Sequence, residues 1–259
     1  MKELPHVSCM CLTYGRPHLL EEAIQCFLDQ DYEGPKELVV LNDLAGQELD
    51  YDHPQVKIVN LKERYKTIGE KRNSCVDFCT GDLLFVWDDD DLYLPWRLSL
   101  SVRMMGNNDY FKSTESWTCN RGIISGPSKN LFHSASCFTK NLFFRSGKYD
   151  EINSGQDLTL EKKFINLQSR SITPLSKSDL YYIYRWEGTD SYHLSAFGMD
   201  QKRHKGPNGA QRCEMAVKKD ISNGKLKTGT VNLKPHYKMD YLKAVYDRVR
   251  ILPGENHVE

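Results

Sequence analysis

Over the first hundred residues, short apolar runs alternate with stretches in which apolar positions recur every three or four residues. Val7 to Thr13 is a β-like run. From Pro17 onward Leu19, Leu20, Ala23, Ile24, Phe27 and Leu28 fall on one stripe, and proline suits a first helical position, so a helix is predicted there. Glu37 to Leu41 and Val56 to Asn60 read as the second and third strands. A helix is predicted over Gly69 to Cys79, with Ile68, Cys75, Val76 and Cys79 facing inward and Gly81 as its stop. Asp82 to Trp87 is the fourth strand, and Pro95 opens another helix. Strands alternating with helices predict an α/β protein with a Rossmann-like, mostly parallel twisted sheet flanked by helices.

Beyond Trp96 the pattern loosens. Residues 106–130 are rich in Asn, Ser, Thr and Gly and read as loops, and Ser134 to Phe144 reads as strands. SGQDLTLEKKFINL (154–167) begins a helix after a turn, and Leu180 to Trp186 is a further strand. Glycines and lysines from Asp200 to about Asn232 predict a flexible segment. A last helix is predicted over Lys238 to Val249, with Tyr241, Leu242, Val245 and Val249 on one face. There is no internal repeat.

Composition adds three constraints. At 259 residues, 39% hydrophobic and 27% charged, the chain suits one large domain or a domain with an appendage. No apolar stretch approaches the roughly 18 residues that span a bilayer, and no signal peptide precedes Val7, so the cytoplasm is the expected location. The eight cysteines show no C-x-x-C spacing, and several sit within apolar segments, which predicts small buried hydrophobes rather than zinc ligands or disulfides. The net charge of zero hides an asymmetry: residues 201–250 hold 13 Lys+Arg against 4 Asp+Glu. Such a segment suits either an anionic partner or docking onto the acidic remainder of the chain.

Ligands in parallel sheets sit beyond the C-terminal strand ends. Three polar clusters fall there: Thr13-Tyr14-Gly15-Arg16, Asn42-Asp43, and the run Asp88-Asp89-Asp90-Asp91. Adjacent carboxylates resist joint ionisation, so four together call for a cation, and hard oxygen ligands suit Mg²⁺ or Mn²⁺. The alternative is a solvated acidic turn capping the helix that follows. No G-x-G-x-x-G follows the first strand, which argues against a dinucleotide cofactor.

Five segments together resemble a known family. TYGRPHLLEEAIQCFLDQ, LVVLND, TIGEKRNSCVDFCTGDLLFVWDDDD, SGQDLTLEKKF and YRWEGTDSYHLS follow, over about residues 5 to 200, the motif order of family 2 glycosyltransferases of the GT-A fold. The resemblance implies a nucleotide-sugar-binding half over 1–110, an acceptor-binding and catalytic half over 111–200, and a basic extension over 201–259. It also implies roles. Thr13, Tyr14 and Arg16 would line the nucleotide pocket with Arg72 near it, and Asp43 would accept a hydrogen bond from the base, most often uracil. Asp88 and Asp90 would be the ends of the D-x-D motif and Asp91 an alternative metal ligand, and the run, with Asp88 and Asp89 on the nucleotide-sugar side, would hold the sugar–diphosphate through the metal. His193 would be a further ligand and Asp157 the general base, giving an inverting, Mn²⁺- or Mg²⁺-dependent transfer from a UDP-sugar to a hydroxyl.

Plainer readings stay open beside these. Asp157 suits a helix N-terminus, Asp43 a turn, His193 a structural histidine, and Trp87 and Trp96 the core. Gln156 departs from the family, where Glu is common. The acceptor is open among polysaccharide, protein and DNA carrying hydroxymethyl-pyrimidines, the last favoured by the basic segment. Rival functions are a sugar-nucleotide nucleotidylyltransferase, for which MCLTYGRPHLL is a poor activating loop, and a non-catalytic module holding a cation.

Overall fold

Strands that are apolar on both faces need cover on both, and this requirement organises the chain. The computed structural model describes residues 3–167, 174–186 and 209–251. β1 (Val7–Thr13) leads into α1 (Pro17–Leu28), β2 (Lys36–Asn42), the short β3 (Gln47–Asp50) and β4 (Val56–Asn60). Then come α2 (Ile68–Phe78), β5 (Leu83–Val86), the two-residue β6 (Leu92–Tyr93) and α3 (Arg97–Met105). β7 (Tyr110–Lys112), β8 (Glu115–Asn120), β9 (Ile123–Lys129), β10 (Ser136–Thr139), α4 (Lys140–Arg145) and α5 (Gln156–Asn166) follow. β11 (Tyr182–Trp186), α6 (Gly209–Ser222), β12 (Gly229–Asn232) and α7 (Tyr241–Ile251) complete the described elements.

The main sheet has the order β4-β2-β1-β5-β10-β7, its first four strands parallel and β10 antiparallel to both neighbours. Along β1, Val7, Cys9 and Cys11 enter the core that includes Leu20, Ala23, Ile24 and Phe27 of α1. Met10 points the other way, into a core with Cys75 and Val76 of α2 and Leu160 and Phe164 of α5. That two-sided burial is why these strands read as continuous apolar runs. All eight cysteines are buried, and none forms a disulfide.

Several expectations need correction. Residues 106–130 are not loops: they hold β7, β8 and β9. β8 and β9 pair antiparallel, and Thr118 Oγ1 meets Ser125 Oγ at 2.7 Å, so polar side chains that suggested a loop pair across the hairpin. Gly126-Pro127 lies in β9, an edge strand, where a missing N–H is tolerated. Of Ser134 to Phe144 only Ser136–Thr139 is strand; Thr139 Oγ1 then accepts the Leu142 N–H at 3.1 Å and starts α4. The stretch expected to be flexible contains α6 and β12, while residues 200–208 lie outside the described residues. Cys213, Val217 and Ile221 are spaced by four on α6, and Val217 and Ile221 pack with Leu44 and Leu226, a pattern masked by the helix's lysines. β3 escaped notice because Gln-Glu-Leu-Asp is polar; it pairs with β12. Gly81 is not a helix stop: α2 ends at Phe78, and a side chain at Gly81 would strike His6 O at 2.7 Å.

The C-terminal elements are tied to the sheet through a buried ion pair. Glu22 of α1 and Arg185 of β11 form a salt bridge with side chains 0% and 1% exposed. Glu22 Oε1 also accepts the Lys238 N–H at 3.0 Å and the Tyr241 hydroxyl at 2.9 Å. Burial alone would raise the Glu22 carboxyl, but Arg185 and the Lys238 N–H outweigh it and hold it below the ordinary range. Glu22→Ala leaves a buried guanidinium unpaired and is expected to cost about 3–5 kcal/mol in urea unfolding. A loss under about 1 kcal/mol would contradict the pairing.

Candidate functional site

The three polar clusters meet at the C-terminal edge of the parallel strands, as the register dictates: Thr13 pairs with Asn42, and Met10 with Val86. The chain leaves β1 through Gly15 at φ +70°, a left-handed conformation that glycine adopts without penalty. This turn sends Arg16 back toward the end of β5.

The aspartate run is not a solvated turn. Asp89, Asp90 and Asp91 are buried, while the Asp88 side chain is 27% exposed. Arg16 grips both oxygens of Asp89 and reaches Asp90 Oδ2 at 2.6 Å. Asp91 accepts the Tyr182 hydroxyl at 2.7 Å and the Arg185 N–H at 3.0 Å, and Arg185 Nε holds the Asp90 carbonyl at 2.7 Å. Asp88 accepts Ser134 Oγ at 2.5 Å and faces Arg72 Nη2 at 3.5 Å. Burial, with Asp90 and Asp88 beside it, pushes the Asp91 carboxyl upward; burial also raises Asp89, against the pull of Arg16. Asp88, Asp90 and Asp91 each offer a carboxylate oxygen, all within 4.8 Å of one another. Three hard donors so close, one of them open to solvent, fit a divalent ion of the Mg²⁺ or Mn²⁺ type.

The run is anchored from behind. Trp87 is fully buried and donates its indole N–H to Ala23 O at 3.0 Å. Arg97, also fully buried, donates to Val86 O at 2.5 Å and Ser134 O at 2.7 Å, its guanidinium 4.0 Å from the Tyr93 ring centre. Trp96 is only half-buried, donating to Asp179 O at 3.0 Å.

Asp43 sits at the end of β2, paired with Lys71 of α2. Lys71 Nζ lies 2.5 Å from Asp43 Oδ1 and 2.6 Å from Thr13 O, while Asp43 Oδ2 accepts the Tyr65 N–H at 3.2 Å. Burial pulls the Lys71 ammonium downward, against the opposing charge of Asp43. Tyr14 lies under Arg64, 4.2 Å from guanidinium to ring centre. The start of α2 is fixed by a Thr67 cap, whose Oγ1 accepts the Glu70 N–H at 3.1 Å. A Cβ at Gly69 would lie 1.9 Å from Asp150 O, so only glycine lets α2 approach that loop.

On the far side of Asp88, Arg72 is buried with its guanidinium 5.5 Å from the Tyr149 ring centre; Nε and Nη1 make no hydrogen bond. Asp157, half-buried in the first turn of α5, accepts the Leu158 N–H at 2.9 Å. The charges of Asp88 and Asp157 both bear on Arg72 and on Tyr149. His193 lies outside the described residues. A cleft of about 450 Å³, bordered by Cys26, Tyr93, Tyr237 and Tyr241, includes none of the predicted site residues.

Sequence reasoning missed Lys71, Arg97 and a polar chain behind Arg72. His133 Nε2 meets the Tyr149 hydroxyl at 2.8 Å and Nδ1 meets Glu161 Oε1 at 2.9 Å, with Lys112 Nζ on Glu161 Oε2 at 2.6 Å. Burial would raise the Glu161 carboxyl, but the His133 hydrogen bond and the His133 and Lys112 charges bring it down to about 2. The available signal was weak: a charged residue interrupting an apolar stripe, as Arg97 and Lys71 do.

Residues 8–112 match the family Glycosyl transferase family 2. An uncharacterised glycosyltransferase of Methanocaldococcus jannaschii is 30% identical over 120 residues, 44% of this chain and 41% of that protein. The chain thus spans less than half the length of that curated relative. Staphylococcus aureus TarS 1-349 in complex with UDP-GlcNAc superposes with TM-score 0.57 at 15% identity, over 86% of this chain and 68% of that one. A mannosyltransferase of Pyrobaculum calidifontis in complex with GDP-Man and Mn²⁺ gives TM-score 0.54 at 19% identity, over 83% and 69%. The chain has the GT-A fold.

Proposed function

We propose, from the premise that residues 8–112 are a glycosyl transferase family 2 segment on a GT-A fold, that the protein transfers a sugar from a nucleotide donor to a hydroxyl. The observation that carries this reading is the carboxylate cluster at the C-terminal edge of the parallel strands, where Asp88, Asp90 and Asp91 each offer an oxygen within 4.8 Å of the others. Asp88, Asp90 and Asp91 would hold Mn²⁺ or Mg²⁺, which supplies electrophilic stabilisation for a departing diphosphate.

The chain's own residues do the rest. Arg16 holds Asp89 and Asp90 in place. Thr13, Tyr14 and Asp43 line the nucleotide end; the Asp43 oxygens, each already accepting one hydrogen bond, keep a lone pair for a base N–H such as that of uracil. Arg72 sets its positive charge beside Asp88, at 3.5 Å, where negative charge would grow on the leaving group. Asp157 takes the proton of the acceptor hydroxyl, whose oxygen attacks the anomeric carbon opposite the leaving nucleoside diphosphate. That single displacement inverts the anomeric centre.

Support from the neighbours is limited to what they bind: UDP-GlcNAc in TarS, and GDP-Man with Mn²⁺ in the mannosyltransferase. A panel of nucleotide sugars with Mn²⁺, read by thermal shift and by slow hydrolysis, tests the reading. At least one UDP- or GDP-sugar is expected to stabilise the protein and be hydrolysed. A flat panel, or pyrophosphate release from a nucleoside triphosphate, would overturn it.

For the acceptor, the proposal is DNA bearing hydroxymethyl-pyrimidines. Exposed Lys218, Lys219, Lys225, Lys227 and Lys234 crowd the described part of the basic segment, and phosphate contacts from lysine supply most non-specific DNA affinity. A target base would leave the stack to reach the site. Gel shifts against duplex DNA are expected to show binding that weakens steeply with salt. No binding at low salt would leave a polysaccharide or protein acceptor. Among the described residues no helix is long and apolar enough to cross a membrane.

A further inference from the structure

We propose that His133 and Ser134, consecutive residues of the 3-10 turn His133–Ala135, form a positioning device that sets the spacing between donor-holding Asp88 and the base Asp157. The inference rests on the transferase reading above and assigns to neighbouring side chains a task that neither Asp88 nor Asp157 performs alone.

The two residues face opposite halves of the site. Ser134 Oγ donates to Asp88 Oδ2 at 2.5 Å. His133 Nδ1 meets Glu161 Oε1 at 2.9 Å. Glu161 lies four residues after Asp157 on α5, so the two side chains share one face of that helix. Anchoring Glu161 therefore anchors the turn of helix that presents Asp157. Hydrogen bonds thus run from Asp88 through Ser134 and His133 to Glu161, and α5 completes the path to Asp157.

The turn is held from three further directions. Arg97 Nη2 donates to Ser134 O at 2.7 Å, and Ser136 Oγ donates to His133 O at 2.6 Å. Lys112 Nζ, 2.6 Å from Glu161 Oε2, occupies the carboxylate oxygen that His133 leaves. His133 and Ser134 are both buried, so water does not compete for these bonds.

The polarity of the chain is fixed by its chemistry. A carboxylate only accepts, so Nδ1 of His133 donates toward Glu161, while Nε2 and the Tyr149 hydroxyl meet at 2.8 Å. Tyr149 is thereby held with its ring against Arg72, whose Nη2 lies 3.5 Å from Asp88 Oδ1. A second path between the two halves, through Tyr149 and Arg72, runs parallel to the first.

A spacing device makes a split prediction that ordinary packing does not. Ser134→Ala releases Asp88 and is expected to weaken Mn²⁺-dependent UDP binding about tenfold. Glu161→Gln keeps side-chain volume but loses the charge that orders His133; UDP and Mn²⁺ binding should stay within twofold, while kcat for the nucleotide sugar that the wild type hydrolyses falls at least tenfold. His133→Gln, which keeps a polar side chain beside Glu161, is expected to repeat the Glu161→Gln pattern and stands in if that variant does not fold. Equal losses of binding and turnover in all variants, tracking their melting temperatures, would mark a merely structural network and overturn the proposal. So would unchanged kcat in both Glu161→Gln and His133→Gln. A wild type that hydrolyses no nucleotide sugar sinks the transferase reading itself, a result distinct from either.

Discussion

Asp157→Asn is expected to lower turnover by about 10²–10⁴-fold while leaving Mn²⁺-dependent nucleotide binding intact. The side chain keeps its size, and its amide oxygen can still accept the Leu158 N–H, so the first turn of α5 should survive. What disappears is the capacity to take a proton from a hydroxyl whose own acidity is negligible at neutral pH. Stability should change by less than about 1 kcal/mol, because the residue is half-buried and its one recorded hydrogen bond can be kept. Single-turnover kinetics beside a UDP titration separate the two effects. Turnover within tenfold of the wild type would remove Asp157 from the mechanism and leave it as a helix-terminal acid.

Removing the divalent ion with EDTA is the second large effect. A diphosphate brought beside Asp88 and Asp90 without a cation meets like charge. At about 5 Å and an effective dielectric near 20, each unit pair costs about 3 kcal/mol. Arg16 and Arg72 offset part of this, but Arg16 is already committed to Asp89 and Asp90. Donor affinity is therefore expected to fall more than 10²-fold and to recover on adding Mn²⁺. A binding isotherm indifferent to chelation would show that the carboxylate cluster has a structural role only.

The parts of this fold that sequence reveals are those whose signal is local. β1, α1, α2 and β5 each announce themselves through periodicity within a dozen residues, and their alternation implies the parallel sheet. The aspartate run, Asp43 and the Thr13–Arg16 turn follow, because parallel strands end on the same side. Asp157, singled out by its motif, lies in the first turn of α5, and its charge bears on Arg72 and Tyr149 as that of Asp88 does.

What stayed hidden is set by long-range contact. Lys71 sits in a helix whose polar residues look solvated, yet its ammonium reaches Thr13 O, 58 residues away. Ser134 and Asp88 are separated by 46 residues, and no pattern marks a serine as the partner of a distant carboxylate. The β8–β9 hairpin failed for a related reason: its polar residues pair across strands, so a composition that resembles loop is sheet. α6 shows the converse, an apolar stripe of three residues diluted by lysines and visible only once Leu44 and Leu226 are seen beneath it.

The claim on which the account turns is that residues 88 to 91 hold a divalent ion at the donor diphosphate. Electron paramagnetic resonance of Mn²⁺ in the presence of UDP tests it most directly. The free-ion signal is predicted to vanish with the wild-type protein and to persist with a Asp88→Asn, Asp90→Asn double variant of normal melting temperature. Equal loss of the free-ion signal in both proteins would contradict it.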